Sequence, residues 1–242
     1  AVPTGASRER GIGRATAQPS AQPGATVAVL DLDEADARAA AAAIGPAHLG
    51  LACDVSDAAA CQRAVDTVLR QAGRIDVLVN NAGLTQRRRV MDVTADDYER
   101  ITGVILRGTL QMSQAVIPHM RARRSGSIVC VSSMSAQQGG GVFGGSHYCA
   151  AKAGVLGLAR AMARELGPDE VRVNAVAPGL VLTDFSRGEN SDENKHATAR
   201  SFPLARVGQP AEVAGACLFL ASDLSSFMTG ATLDVNGGAH MH

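Results

Sequence analysis

The sequence is short of several things, and each shortage removes a class of function. It has no surplus of charge, since 23 basic residues balance 23 acidic ones, so nothing electrostatic favours a nucleic-acid or anionic-membrane partner. It has no long apolar run. Hydrophobic residues make up 46% of the chain, but the longest stretches are strand-sized and interrupted by Gly, Asp or Arg, well short of the roughly 20 residues that cross a bilayer. No basic segment followed by an apolar signal core opens the chain, so the expected location is cytoplasmic. Five scattered cysteines (Cys53, Cys61, Cys130, Cys149, Cys217) form no CxxC, which argues for reduced thiols and against a metal cluster. His240 and His242 lack a companion thiol or carboxylate cluster and are read as a tail, with no metal expected. Tyrosine and lysine are rare, with two of each: Tyr98, Tyr148, Lys152 and Lys195.

What is present is alternation. Short β-branched runs at 26–30, 48–53, 75–80, 127–132, 172–177 and 232–235 are separated by helical patterns at 34–44, 58–72, 95–120, 150–166 and 210–221. This predicts βαβ units winding a parallel sheet with helices on both faces. Val77-Leu78-Val79 and Ile128-Val129-Cys130-Val131 are apolar at consecutive positions, as in strands covered on both sides. No repeat, linker or composition shift divides the 242 residues, so one domain is expected over 1–242. The polar stretch 184–206 has no strong periodicity and reads either as a substrate-binding loop or as a surface excursion.

Two regions carry chemistry. Thr4-Gly5-Ala6-Ser7-Arg8-Glu9-Arg10-Gly11-Ile12-Gly13 is a glycine-rich turn whose backbone N–H groups suit a pyrophosphate at a helix N-terminus. Asp31 closes the second strand, where a carboxylate accepts hydrogen bonds from an adenosine ribose diol, and Asp54-Val55 follows the third. Either aspartate alone would read as a helix cap or turn residue. A carboxylate at Asp31 repels a 2′-phosphate, so NAD(H) is favoured over NADP(H), with Arg8 partly countering that preference. Further on come Asn80-Asn81-Ala82-Gly83, Ser132-Ser133 and Tyr148-Cys149-Ala150-Ala151-Lys152. Four residues apart on a helix, Tyr148 and Lys152 share a face. An ammonium beside a phenol lowers a pKa otherwise near 10 and makes the tyrosine usable as an acid/base. With so few tyrosines and lysines, a chance pair at this spacing is expected in roughly two per cent of such chains.

Together these residues, with Asn174, Pro178-Gly179, Thr183 and the closing Asp234-Val235-Asn236-Gly237-Gly238, resemble a short-chain dehydrogenase/reductase of the single-domain type. The resemblance spans nearly the whole chain. It implies a Rossmann-like, doubly wound parallel sheet of about seven strands and an NAD(P)-dependent enzyme acting on CH–OH groups. It further implies a small-molecule alcohol or ketone substrate and a homo-oligomer, tetramer or dimer. In that likeness Tyr148 exchanges a proton with the substrate oxygen, Lys152 holds the nicotinamide ribose, and Ser133 bonds the carbonyl or alcohol. Gly5, Gly11, Ile12, Gly13, Asp31, Asp54, Val55, Asn81, Pro178, Gly179, Val181 and Thr183 would join Tyr148 and Lys152 around the cofactor. Ser133 is chosen because the strand ends there; Ser135, at the more common family spacing of 13 before Tyr148, is the alternative.

Three departures stand against the likeness. Five residues, not three, separate Gly5 from Gly11. Pro19 and Pro23 fall where the first crossover helix should run, and Pro3 curtails the first strand. Ile105 holds the place of an asparagine that, in the family, keeps a water in a proton relay to the lysine. The leading expectation is therefore an NAD(H)-dependent alcohol/ketone oxidoreductase, and the alternative a dinucleotide-binding protein with impaired or no catalysis. Candidate substrates are sugars or polyols, cyclic alcohols and 3-oxoacyl thioesters. Arg187, Arg200 and Arg206 offer contacts for an anionic group, but ordinary surface placement is the commoner case. His147 either faces substrate or packs, Arg87-Arg88-Arg89 reads as a solvated loop or subunit contact, and the apolar residues Phe219, Leu224 and Phe227 point to a subunit interface.

Overall fold

A computed structural model describes residues 1–21, 24–186 and 190–241, with only the backbone for 141–143. Pro23, Arg187 and His242 lie outside the described residues. Seven strands are present among them: β1 Val2–Pro3, β2 Ala28–Asp31, β3 Leu49–Ala52, β4 Val77–Asn80, β5 Gly126–Val131, β6 Val171–Pro178 and β7 Thr232–Val235. All pair in parallel. Five form a sheet in the order β1-β4-β5-β6-β7, and β2-β3 form a separate pair, the two joined by the Thr4–Leu30 bridge.

Pro3 explains that weak joint. Ala1 faces β2, its carbonyl accepting from Ala28 N at 2.9 Å, whereas Thr4 N faces β4 and donates to Val79 O at 3.0 Å. Alternation along the strand turns Pro3 toward β2, where its missing N–H leaves a gap in the ladder.

The consecutive apolar strands are covered on both sides, as expected. Leu78, Ile128 and Cys130 belong to a core with α3 (Ala58–Ala72), α5 (Gly108–Arg123) and α7 (Gly141–Leu166). Val79, Val129 and Val131 pack with α9 (Pro210–Ala221). On that second face, α1 (Ile12–Ser20) and α2 (Glu34–Ala42) pack through Ala17, Ala37, Ala40 and Ala41 against Val27 and Val29. α1 is short, nine residues with Pro19 in its last turn. Pro19 has no N–H to give to the carbonyl four residues earlier, and the helix ends one residue after it.

Three expectations need correction. The helix expected over 95–120 is broken: α4 (Ala95–Thr102) passes into a π segment at Gly103–Arg107 before α5. Gly108 N closes onto Gly103 O, and a side chain at Gly108 would begin 2.7 Å from Val55 Cγ2, so the chain shifts register where it must approach Val55. The helix expected from residue 150 starts earlier, with a break at Gly145 (φ 70°), so Tyr148 lies within it. The stretch 184–206 contains a helix, α8 (Asp192–Ala199), capped by Ser191, whose hydroxyl accepts from Asn194 N at 3.2 Å.

β3 lies almost on the backbone of α2. A Cβ on Gly50 would fall 2.3 Å from Arg38 N and 2.4 Å from the Ala37 carbonyl, and backbone cannot turn aside as a side-chain end can. Gly50→Ala should cost about 1–3 kcal/mol by overpacking and lower the midpoint of thermal unfolding by on the order of 5 °C. An unchanged midpoint in circular dichroism melts would mean that α2 gives way freely.

Candidate active site

The order of strands reverses between β1 and β4, and in such sheets the ligand crevice opens at the carboxyl ends of the strands beside that reversal. Here it is a cleft of about 810 Å³, within the roughly 300–1,000 Å³ typical of ligand sites. Gly5, Gly11, Ile12, Asp31, Asp54, Val55, Asn81, Pro178, Gly179, Val181 and Thr183 line it together with Ser133, Tyr148 and Lys152. Of the residues read from the sequence as cofactor-binding, Gly13 alone stays behind the wall. A Cβ there would lie 2.7 Å from Asn81 Nδ2 and 2.8 Å from Gly5 O, so its role is to let the turn close.

The glycine turn is held from below. Thr4 Oγ1 accepts from the backbone N–H of Asn81 and of Ala82, both at 3.0 Å, and Asn81 Nδ2 donates to Thr4 O at 2.9 Å and Gly5 O at 3.0 Å. Gly5 has φ 59°, a left-handed conformation that glycine takes without strain. Gly11 caps α1 without a side-chain hydrogen bond, leaving first-turn N–H groups for an anion. This turn fits the pyrophosphate of a dinucleotide. Asp31 Oδ2 accepts from Ser7 N at 2.9 Å and Ser7 Oγ at 2.7 Å, while its Oδ1 accepts from Leu32 N at 2.9 Å. Its carboxylate is thus fixed at the mouth of the cleft. Asp54 Oδ1 accepts from Ser56 N and Oγ, at 2.9 and 2.7 Å, so the turn reading of Asp54 holds alongside its place in the cleft wall.

At the other end, Ser133 follows β5 and lines the cleft with Tyr148, its hydroxyl near enough to the phenol to pull its pKa down in part, while its Oγ accepts from Ser135 N at 3.1 Å. Ser135 also lines the cleft, but its hydroxyl lies near Gly140 and Cys149. Both serines thus border the cleft, Ser133 at the end of β5 and Ser135 beside Gly140. Lys152 Nζ donates to Val131 O at 2.7 Å and lies 5.9 Å from the Tyr148 ring centroid. Ser132 Oγ donates to Lys152 O at 2.8 Å.

Burial governs the electrostatics of the pair. Burial pushes the Tyr148 phenol up to about 12, with the Ser133 hydroxyl only partly opposing it. Lys152 is aimed at a backbone carbonyl through Nζ. Its own ammonium is pulled down by burial to about 8, opposed by the nearby Cys130. Helical spacing brings the pair to one face; it does not fix what each polar end touches.

Other sequence candidates fall elsewhere. Arg206 is spent on Glu212 at 2.6 and 2.8 Å, and neither it nor Arg200 lines the cleft. His147 is buried, its Nε2 paired with Gln86 Oε1 at 3.1 Å, so it packs; burial also lowers its pKa. Arg88 lies 3.6 Å from Asp97. Ile105 is 1% exposed, in the core. All five cysteines are free. Among the described residues no group of side chains could hold a metal, and no helix is long and apolar enough to cross a membrane.

The structure adds residues that the sequence reading missed. Leu84, Met134, Gln138, Phe185, Phe202, Val104, Arg107 and Arg10 also line the cleft. Lys195, the second lysine, is buried with Nζ on Thr183 O at 2.7 Å and Asp192 Oδ1 at 3.0 Å. Its rarity in the sequence was the one available signal.

Comparison with known proteins agrees with this geometry. Residues 5–240 match the family described as Enoyl-(Acyl carrier protein) reductase. The chain is 52% identical to a short-chain type dehydrogenase/reductase of Sinorhizobium fredii, over all of this chain and 97% of that protein. It is 37% identical to the 3-oxoacyl-[acyl-carrier-protein] reductase of Escherichia coli, at the same coverage. A D-threitol dehydrogenase of Mycolicibacterium smegmatis is 39% identical over 98% of this chain and 91% of its own length. Among solved structures, a 3-oxoacyl-[acyl-carrier protein] reductase of Brucella melitensis superposes with a TM-score of 0.91 at 37% identity, covering all of this chain and 91% of that one. Another structure of such a reductase from the same organism, with bound NAD, gives 0.89 at the same identity, over all of this chain and 90% of its own. The chain belongs to the short-chain dehydrogenase/reductase family and is an oxidoreductase of that type.

Proposed function

We propose that this protein transfers a hydride between NAD(H) and a secondary alcohol or ketone, with Tyr148 as the acid/base. The observation that carries this reading is the meeting of Ser133, Tyr148 and Lys152 at one end of a single crevice whose other end is the glycine turn and Asp31. A bound nicotinamide dinucleotide would supply the hydride. The turn and the first N–H groups of α1 would hold its pyrophosphate, Asp31 its adenosine ribose, and Asp54 and Val55 its adenine end. Pro178, Gly179, Val181 and Thr183 would hold the nicotinamide side.

Ser133 and Tyr148 orient the substrate oxygen between them, and in the reducing direction the phenol gives it a proton. A phenol raised to about 12 is neutral across the physiological range, so it carries the proton to be given but yields it as a weak acid. Lys152 keeps a positive charge at the Tyr148 face. The lining of Leu84, Met134, Phe185 and Phe202 favours a substrate with an apolar portion beside the carbonyl. The names of the relatives, 3-oxoacyl reductases and a D-threitol dehydrogenase, bracket that class. We place the protein in the cytoplasm as one folded unit over 1–242. Phe227, fully exposed, and Leu224, at 82%, support an oligomer, tetramer or dimer, in which they are covered. A second reading rests on Ile105. With an apolar side chain in the place of the relay asparagine, the protein would bind dinucleotide and turn over slowly or not at all.

Tyr148→Phe should reduce turnover by about 10²–10⁴-fold while NADH affinity, read by fluorescence titration, stays within about twofold; full activity with any alcohol from a panel would refute the assignment. Rapid turnover by the unaltered protein in that panel would exclude the second reading. For pH the sign follows from burial. The Lys152 ammonium, lowered from 10.5 to about 8, is charged below that pH and loses its charge above it. The kcat/KM for dinucleotide should therefore fall as pH rises through about 8, and a flat profile to pH 10 would show that the charge is not used. Asp31→Ala removes the carboxylate facing a 2′-phosphate, and the preference for NADH over NADPH should shrink by about tenfold or more, since like-charge juxtaposition costs several kcal/mol. An unaltered protein that prefers NADPH would overturn the NAD assignment.

A further inference from the structure

We infer that Arg10 is a further dinucleotide-binding residue, which gives up Asp184 in exchange for the pyrophosphate and so releases the adjacent Phe185 from the nicotinamide end of the crevice. This rests on the dinucleotide-binding reading above. Arg10 sits in the glycine turn where five residues, not three, separate Gly5 from Gly11, one position before the uncapped N-terminus of α1. From there its guanidinium crosses the cleft mouth to the opposite wall. Nη1 lies 3.3 Å from Asp184 Oδ1, and Nη2 donates to Asp192 Oδ2 at 2.6 Å.

The two carboxylates are not equivalent. Asp192 also has Lys195 at 3.0 Å and keeps a cation when Arg10 leaves. Asp184 has no second ion pair among the described residues. Next along the chain, the Phe185 ring stands 6.2 Å from the Tyr148 ring. Its Cε2 is 3.7 Å from the point where a side chain on Gly83 would begin, and Lys152 Nζ is at that same distance from it. The ring thus occupies the space between the Gly83 shelf and the Tyr148–Lys152 pair. Phe185 is 38% exposed, so no deep pocket holds it there.

A pyrophosphate at the N-terminus of α1 would bring two negative charges beside Arg10. Half-exposed ion pairs with carboxylates are weak, whereas guanidinium–phosphate pairs are charge-assisted and often bidentate. The exchange therefore runs toward the phosphate, and Asp184, left without its cation, no longer fixes Phe185 in the crevice. Occupation of the dinucleotide end in this way opens the end where the hydride is transferred.

The test separates phosphate from nicotinamide. ADP-ribose carries the adenosine and pyrophosphate without the nicotinamide; adenosine lacks the phosphates. By calorimetry, Arg10→Gln should weaken ADP-ribose about tenfold and leave adenosine unchanged. Asp184→Asn removes the competitor and should tighten ADP-ribose about threefold, a gain that a purely structural ion pair would not give. The sequence contains no tryptophan, so Phe185→Trp provides a single reporter, whose emission should move to the red with ADP-ribose and stay fixed with adenosine. Equal ADP-ribose affinity in the Arg10→Gln and unaltered proteins would overturn the inference. So would a loss confined to Arg8→Gln, the other arginine of the turn that lines the cleft, or an indole emission in the Phe185→Trp variant that ADP-ribose leaves unmoved. Those outcomes leave the proposed function standing. If the unaltered protein binds neither ADP-ribose nor NADH, that reading fails and takes the inference with it.

Discussion

The tie between the ends of β1 and β4 is the constraint on which the rest depends. At a reversal of strand order two neighbouring strands send their chains to opposite faces, and the gap between them must stay open without fraying. Thr4 and Asn81 do this with four hydrogen bonds of 2.9–3.0 Å, side chain to backbone in each direction. Because Thr4 Oγ1 and Asn81 Nδ2 satisfy the backbone locally, the glycine turn is free to present its remaining N–H groups to the cleft. Gly13 is small for the same reason, since Asn81 Nδ2 already occupies the space that its side chain would take. A residue expected to contact cofactor is thus better understood as one that builds the platform.

Much of the fold was legible because burial on two faces leaves a plain mark. The strand runs at 77–79 and 128–131 and the helices α3 and α9 stand where the sequence pattern placed them. Pro3 was legible as a weakness, and the bridge-only joint between β1 and β2 is its consequence. The break in the 95–120 helix was not, because a π segment keeps helical side-chain content and changes only the register. Its cause is the close approach of Gly108 to Val55, far away in the sequence. α8 escaped because its sequence is polar nearly all round; it is held by Lys195 reaching to Thr183 and by the Ser191 cap, not by an apolar stripe.

The site was legible as a set of positions and illegible as a set of charges. Ser133, Tyr148 and Lys152 meet where strand end and helical spacing placed them, yet the phenol is raised. Spacing along a helix fixes direction only; the protonation balance follows from how far water is excluded and from which acceptor the ammonium chooses. Val131 O supplies that acceptor, and nothing in the sequence marks a particular carbonyl. Contacts made across the cleft were equally hidden, since Arg10 and the Asp192 that it meets are 182 positions apart.

The same stitching bears on the apolar residue in the π segment. Lys152 is fixed at both ends without help from residue 105: its ammonium rests on Val131 O, and its carbonyl accepts from Ser132 Oγ. Both anchors lie at the end of β5, so the polar contacts of Lys152 register α7 to the sheet, while its apolar face packs on the π segment through Leu106 beside Gly154. Ile105 sits in the core among apolar neighbours, where a large side chain with no polar group asks for no partner. Thr109 Oγ1 donates to its carbonyl at 2.7 Å. An isoleucine at that position therefore leaves the placement of tyrosine and lysine intact.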